Sequence, residues 1–275
     1  MEIITSRQNP LIKTVAALSE KKKRKEMGCF RLDGKKLVAE AIQCKLALSA
    51  LLVREDAMAC FLPLCEEACD AGLLPRERVI TVASSVFERL TEEKAPEGII
   101  AVAYMPTALH ATAEASEISS LVGAGEKILL AESLRDPGNL GTVMRSCAAL
   151  GIDRLILSDD CADLYSPKTV RAAMGALFRL PTVTVASADF AKAISVLRDA
   201  GRHVYATALH REARVIGTWT LEKGDCFVIG NEGHGLSESA ITACDGCAII
   251  PMRQGSESLN AAAAAAICIW ETVRT

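Results

Sequence analysis

Short apolar runs rich in β-branched residues alternate along this chain with longer stretches of helical spacing. From Lys127 onward the alternation is clean. KILLAES, RLILS, PTVTVA, HVYATAL, CFVIG and CAIIPM read as strands, and 140–150, 167–179, 189–200, 237–243 and 259–273 read as helices. Runs that are apolar throughout, separated by helices of ~10–15 residues, predict a parallel sheet covered on both faces. The first hundred residues repeat this on a smaller scale. Helical segments at 10–25, 35–44, 62–71 and 86–90 are interleaved with the strands FRLDG, SALLV, VITVA and GIIAVAYM. Between the two lies a stretch of Ala, Ser, Thr and Gly with little periodic apolar content. The organisation expected is α/β throughout: a smaller domain over 1–105, a linker over 106–126 and a second domain over 127–275.

Composition narrows the class. Half of the 275 residues are apolar and a quarter charged, which excludes a disordered chain, a collagen and a small disulfide scaffold. The longest apolar run, Ala261 to Trp270, is ten residues, short of the ~18 a membrane-spanning helix needs. No apolar stretch of signal-peptide type follows the early charges, so a cytoplasmic protein with no membrane partner is expected. Eleven cysteines are scattered through the chain. Cys244 with Cys247 and Cys65 with Cys69 are spaced like metal ligands, but neither has a second matching pair, so packed thiols are expected and no metal is assigned.

Charge changes the picture locally. The first 36 residues carry ten Lys or Arg against four Asp or Glu, on a chain whose net charge is −3. Lys21, Lys22, Lys23, Arg24 and Lys25 form one run, and Lys35 and Lys36 follow. Such a block is either an electrostatic footprint for phosphates or a solvated helix face.

Ligands of parallel α/β sheets bind beyond the carboxyl ends of the strands. Three such ends carry unusual loops. After KILLAES, Asp136-Pro137-Gly138 signals a turn, Asn139 can cap the next helix, and Arg145 lies six residues further on. After CFVIG, Gly230, Gly233 and Gly235 surround Asn231, Glu232 and His234. The G-x-x-G-x-G spacing there is not the dinucleotide fingerprint, and Glu232 would repel a pyrophosphate. After CAIIPM come Arg253, Gln254, Ser256, Glu257 and Ser258, then Asn260 and six alanines. Each loop alone has an ordinary explanation in helix capping, a surface arginine or a tightly buried helix. Three together in one domain favour a shared site.

In this order the loops resemble the three motifs of the SpoU/TrmH family of RNA 2′-O-ribose methyltransferases, in the SPOUT superfamily. NLGTVMRSCAALG carries Asn139 and Arg145, IGNEGHGLS carries Glu232, and IPMRQGSESLN carries Ser258 and Asn260. The N-terminal stretch from ITSRQNPLIKTVAAL through FRLDGKKLVAEAI is similar to the small α/β RNA-binding domain that often precedes them.

The resemblance implies a C-terminal domain folded as a deep trefoil knot, an exception among chains that otherwise avoid knots. It implies S-adenosylmethionine (AdoMet) held bent, with contacts at Gly230, Ile250 and Leu259 made mostly through backbone groups. It implies a homodimer joined through the C-terminal domain, with the active site beside the interface. It also favours the RNA reading of Lys21, Lys22, Lys23, Arg24, Lys25, Lys35 and Lys36. The implied reaction moves a methyl group to a ribose 2′-hydroxyl, with ribosomal RNA favoured over transfer RNA. The sulfonium supplies the driving force, so no metal is called for. Arg145 would position the hydroxyl and the neighbouring phosphate, because an arginine with a pKa above ~12 is a poor base. Asn139, Glu232, Ser258 and Asn260 would orient it and the ribose, and the proton acceptor stays open. The rivals are a non-catalytic RNA-binding protein of the same fold and a nucleotide-dependent small-molecule enzyme. Retention of Arg145 and Asn260 argues against the first, and the glycine spacing with Glu232 against the second.

Overall fold

In the computed structural model, residues 3–91, 95–210, 212–253 and 258–274 are described. The chain divides into two compact units: Met1–Pro106 with Tyr165–Phe178, and Thr107–Leu164 with Arg179–Thr275.

The first unit runs β1 (Ile3–Ile4), α1 (Pro10–Ala17), α2 (Lys21–Met27), β2 (Cys29–Asp33), α3 (Lys35–Gln43), β3 (Leu48–Arg54), α4 (Met58–Asp70), β4 (Val79–Val82), α5 (Ser84–Phe87) and β5 (Ile99–Tyr104). Its sheet has the order β1-β4-β3-β5-β2, with β5 antiparallel to both β3 and β2. Ile12, Val15 and Leu18 pack with Val86, Phe87 and Leu90 over Leu52, Ile100 and Val102. The helix expected over 10–25 is two helices. α1 stops at Ala17, and α2 begins at Lys21 and ends at Gly28, whose left-handed φ of 62° a glycine takes without strain.

The second unit runs β6 (His110–Thr112), α6 (Ile118–Leu121), β7 (Ile128–Ala131), α7 (Pro137–Leu150) and β8 (Arg154–Ser158). The chain then contributes α8 (Pro167–Ala173) to the first unit. It returns through β9 (Thr182–Val185), α9 (Phe190–Asp199), β10 (Val204–Thr207), β11 (Arg214–Val215), β12 (Cys226–Ile229), α10 (Glu238–Ala243), β13 (Gly246–Ile249) and α11 (Ala261–Val273). The sheet has the order β11-β13-β10-β12-β7-β8-β9-β6, and every pairing in it is parallel. β7 and β12 are buried along their whole length, which is why they read as unbroken apolar runs.

Two features depart from the sequence reading. The 106–126 stretch holds an edge strand, β6, paired with β9, and Ala115, Ile118 and Val122 are buried in the core of the second unit. The helix expected over 167–179 ends at Ala173. Met174 turns left-handed at φ 47°, and Phe178 lies 6.4 Å from Phe30, ring centre to ring centre, inside the first unit. Tyr165 packs against the same Phe30, ring centres 4.9 Å apart and planes tilted by 51°. Among the described residues no helix is long and apolar enough to cross a membrane.

Candidate active site

Strand order in the second sheet reverses at β7. The chain proceeds through β8 and β9 on one side, and β12 and β10 lie on the other. Such a reversal opens a crevice at the carboxyl ends. Ala131 and Ile229 are in register, so the loops after β7 and β12 leave the sheet side by side.

The loop after β7 folds as its residues dictate. Asp136, not Asn139, caps α7: its carboxylate accepts the Asn139 backbone N–H at 2.8 Å, and Pro137 occupies the first helical position, where no N–H is needed. Asn139 is therefore not the cap that its place in the sequence suggests, and this has a consequence for the site. The Asn139 side chain is released to bridge the loops. Its Nδ2 donates to Glu232 at 3.0 Å, and its Oδ1 accepts from Asn260 Nδ2 at 3.0 Å. Asn260 does cap its helix, its Oδ1 accepting from Ala262 and Ala263. One asparagine therefore links the second and third loops.

Glu232 accepts two further bonds, from the backbone N–H groups of Arg135 at 3.3 Å and Asp136 at 3.2 Å. Desolvation works against its charge. The Asn139 amide and the backbone donors outweigh that and hold the carboxyl below its ordinary range. A carboxylate so engaged holds geometry and has little capacity left to accept a proton.

Gly230 is required by the loop itself. A Cβ there would meet the Gly235 carbonyl carbon at 2.4 Å and the Leu236 nitrogen at 2.5 Å. The turn is closed by reciprocal backbone bonds between Asn231 and Gly235. Beside it lies a cleft of about 540 Å³ lined by Gly230, Ile250, Ser258 and Leu259, together with Glu232 and the apolar Ile229, Leu236 and Ile249. That volume and lining suit a nucleoside-sized ligand with one apolar face. All three residues expected at the cofactor share this cleft.

Arg145 is the exception. It lies on α7, exposed, with no hydrogen bond or ion pair among the described residues, and it does not line the cleft. At ~100° per residue, six positions turn it roughly 120° away from Asn139. Gln254, Ser256 and Glu257 of the third loop lie outside the described residues.

Four residues that the sequence does not single out, Glu132, Ser133, Asp160 and Ser237, are tied to this site by the structure. Glu132, buried at the end of β7, accepts the backbone N–H and hydroxyl of Ser237 at 2.8 and 2.6 Å and so fixes the start of α10. Asn231 donates to the Ser133 carbonyl at 2.8 Å, and Ser133 donates its hydroxyl to Asp160 at 2.6 Å. An acid placed directly after an apolar strand, as in KILLAES and RLILSDD, was the available signal.

The basic block of the first unit divides. Lys21, Lys22, Lys25, Lys35 and Lys36 are exposed, and Lys23 is half-exposed with its Nζ on Glu26 at 2.7 Å. Arg24 is a correction. It is buried, at 3% exposure, and donates to the carbonyls of Leu18 and Ser19, both at 2.7 Å. Those carbonyls lie just past α1, so Arg24 closes the break between the two helices and is withdrawn from any RNA surface. All eleven cysteines are free thiols; burial pushes Cys244 up to about 12 and Cys65 up to about 11.

Known proteins match along nearly the whole chain. The model of the SpoU rRNA Methylase family matches residues 126–270, and that of the MRM3-like substrate binding domain matches residues 9–101. The 23S rRNA (guanosine(2553)-2′-O)-methyltransferase RlmP of Bacillus subtilis (strain 168) is 30% identical over 272 residues, covering 98% of each chain. The 23S rRNA (uridine(2479)-2′-O)-methyltransferase of Streptomyces viridochromogenes is 31% identical over 286 residues, covering 98% of this chain and 91% of its own. Among solved structures, an AdoMet-bound rRNA methyltransferase from Sinorhizobium meliloti superposes with a TM-score of 0.82 at 28% identity, covering 99% of this chain and 97% of that one. The SpoU methyltransferase AviRb from Streptomyces viridochromogenes in complex with AdoMet gives 0.80 at 28% identity, covering 97% and 98%.

Proposed function

The chain belongs to the SpoU rRNA methylase family, and on that premise we propose that it methylates a ribose 2′-hydroxyl of ribosomal RNA with AdoMet as donor. The observation that carries this reading is Asn139 joined to both Glu232 and Asn260 beside the Gly230 cleft. When bound, AdoMet supplies a methyl group on a sulfonium, which needs no metal to leave. This chain's residues would supply the rest. Gly230, Ile250 and Leu259 line the space for the cofactor. Glu232, Asn139 and Asn260 keep three loops at fixed separation, and Ser258 stands at the cleft's edge. Arg145 would hold the ribose hydroxyl and the adjacent phosphate through its planar fork. With the Glu232 carboxylate occupied by three N–H donors, the hydroxyl proton leaves to another acceptor.

The finer features belong to the same reading. Lys21, Lys22, Lys23, Lys25, Lys35 and Lys36 contact RNA phosphates. The second domain is knotted, a reading supported by the return of α11, after the near-edge strand β13, to pack on α7 and the central strand β12. It pairs with a second copy, supported by the exposed apolar line Ile267 and Trp270 on α11. The protein works in the cytoplasm, a reading supported by its likeness to ribosomal RNA methyltransferases of bacteria.

Ribose methylation mapped across total RNA, from cells with and without the protein, tests the proposal. A mark in ribosomal RNA that disappears on deletion and returns with the intact gene is expected. Disappearance confined to transfer RNA would move the substrate, and an unaltered map would refute the activity.

A further inference from the structure

The loop that carries the first motif is gripped from the neighbouring strand. Ser133 sits in the left-handed region at φ 53°, which a non-glycine residue keeps only where its surroundings impose it. All three of its polar groups are engaged. Its N–H donates to Ser158 Oγ at 2.7 Å, its hydroxyl to Asp160 Oδ2 at 2.6 Å, and its carbonyl accepts from Asn231 at 2.8 Å. The next residue is held at both ends: Leu134 N–H points to Cys161 Sγ at 3.3 Å, and its carbonyl accepts from Ala162 at 2.9 Å. Arg135 donates to Asp160 at 3.2 Å, and Ser158 donates its hydroxyl to the other Asp160 oxygen at 2.7 Å.

Asp160 is where these bonds converge. It accepts from Ser133, Ser158 and Arg135, which outweigh its partial burial and hold its carboxyl below the ordinary range. With the loop bent in this way, the backbone N–H groups of Arg135 and Asp136 face Glu232, which in turn holds Asn139. A continuous path of bonds therefore leads from the end of β8 to the asparagine that joins all three motif loops.

We propose that Asp160 is a positioning residue for methyl transfer, acting through Ser133 and Arg135 on loop 133–136. The proposal rests on the methyltransferase reading above. A displacement of ~1 Å in a reacting geometry can cost ~100-fold in rate, so loosening this loop should be felt at the chemistry although Asp160 touches neither reactant.

The test combines single-turnover methyl transfer to ribosomal RNA, AdoMet binding, and backbone hydrogen exchange over residues 132–140, on the full-length protein. Asp160→Ala should slow transfer by roughly 10- to 100-fold, leave AdoMet affinity within about threefold, and speed exchange in that peptide while β7 and β12 stay protected. Asp160→Asn keeps one acceptor for Ser133 but loses the charge facing Arg135, so it should fall between. Ser133→Ala combined with Asp160→Ala should be little slower than the worse single variant, because both act on one link. If Asp160→Ala does not fold, Asp160→Asn and Ser133→Ala give the same readouts. Unaltered rate, slowed transfer with unaltered exchange, or fully additive effects would overturn the assignment. If the wild-type protein transfers no methyl group, the functional reading fails, and exchange alone decides whether Asp160 holds the loop.

Discussion

The three motif loops of the second unit and the basic block of the first behave in opposite ways. Asn139 and Glu232 are 93 positions apart and Asn139 and Asn260 are 121 apart, yet both pairs meet at 3.0 Å. Lys21 to Lys25 are immediate neighbours, yet one of the five is driven into the core while the others face solvent. A parallel sheet delivers every strand end to the same edge, so it gathers residues that are remote in sequence. A helix turns ~100° at each step, so it disperses residues that are adjacent. Sequence proximity is therefore a poor guide to a shared surface on a helix, and matching position at strand ends is a good guide to a shared site.

The largest effect expected from breaking this contrast is at Arg145, which belongs to a motif by sequence but does not line the cleft. If it serves the hydroxyl and phosphate, Arg145→Ala should reduce single-turnover transfer by ~10²–10⁴ while AdoMet affinity stays nearly intact, because the cleft is built without it. Arg145→Lys should recover little, since a lysine lacks the planar fork. Near-normal turnover in the alanine variant would make Arg145 a surface residue.

Within the basic block, the contrast predicts two different phenotypes from adjacent residues. Arg24→Ala leaves the Leu18 and Ser19 carbonyls without their donor and should cost ~2–3 kcal/mol of stability. Lys25→Ala should change stability by less than ~0.5 kcal/mol. RNA binding should divide the other way. Replacing Lys21, Lys22, Lys25, Lys35 and Lys36 should flatten the dependence of log affinity on log salt by ~0.7–0.9 for each phosphate no longer neutralised. Arg24→Ala, measured where it is folded, should leave that slope unaltered. Equal slopes in all variants would mean that the block is a solvated face.

Legibility followed the same division. The central strands were plain because burial on both faces leaves apolar runs with no competing pattern, as in CFVIG and KILLAES. The glycines of GNEGHGLS announced a tight turn, and the closure of Asn231 onto Gly235 is its cause. What escaped were features decided by packing at a distance. β6 is three residues of His-Ala-Thr at a sheet edge, too short to show alternation. The cap of α7 is ambiguous in sequence because Asp136 and Asn139 are both good caps, and Pro137 at the first helical position selects the former. The grouping of Tyr165–Phe178 with the first unit turns on Phe30, a contact across more than a hundred residues that no local pattern records. Arg24 was hidden among like charges, since nothing in KKKRK singles out the one that faces inward.

The smallest effect expected is a pH dependence that separates the site network from the rest of the protein. The Glu232 carboxyl lies below its ordinary value of 4.5 in the folded protein. A group whose folded pKa is depressed contributes stability that is fully present above its unfolded pKa and is lost as pH falls through the folded one. The contribution of Glu232 should thus be constant from neutral pH down to about 5.5 and fade between 4.5 and its depressed folded value. Glu232→Gln has no such titration. The gap in thermal midpoint between the two proteins should be widest near neutrality and close as the solution is acidified. The carboxylate is exposed, so the gap should amount to only about 1–3 °C at its widest. Midpoints measured at intervals from pH 7 to 3 would test this. Parallel curves would mean that the bonds from Asn139, Arg135 and Asp136 do not favour the ionised form, and that Glu232 does not tie the three loops together through its charge.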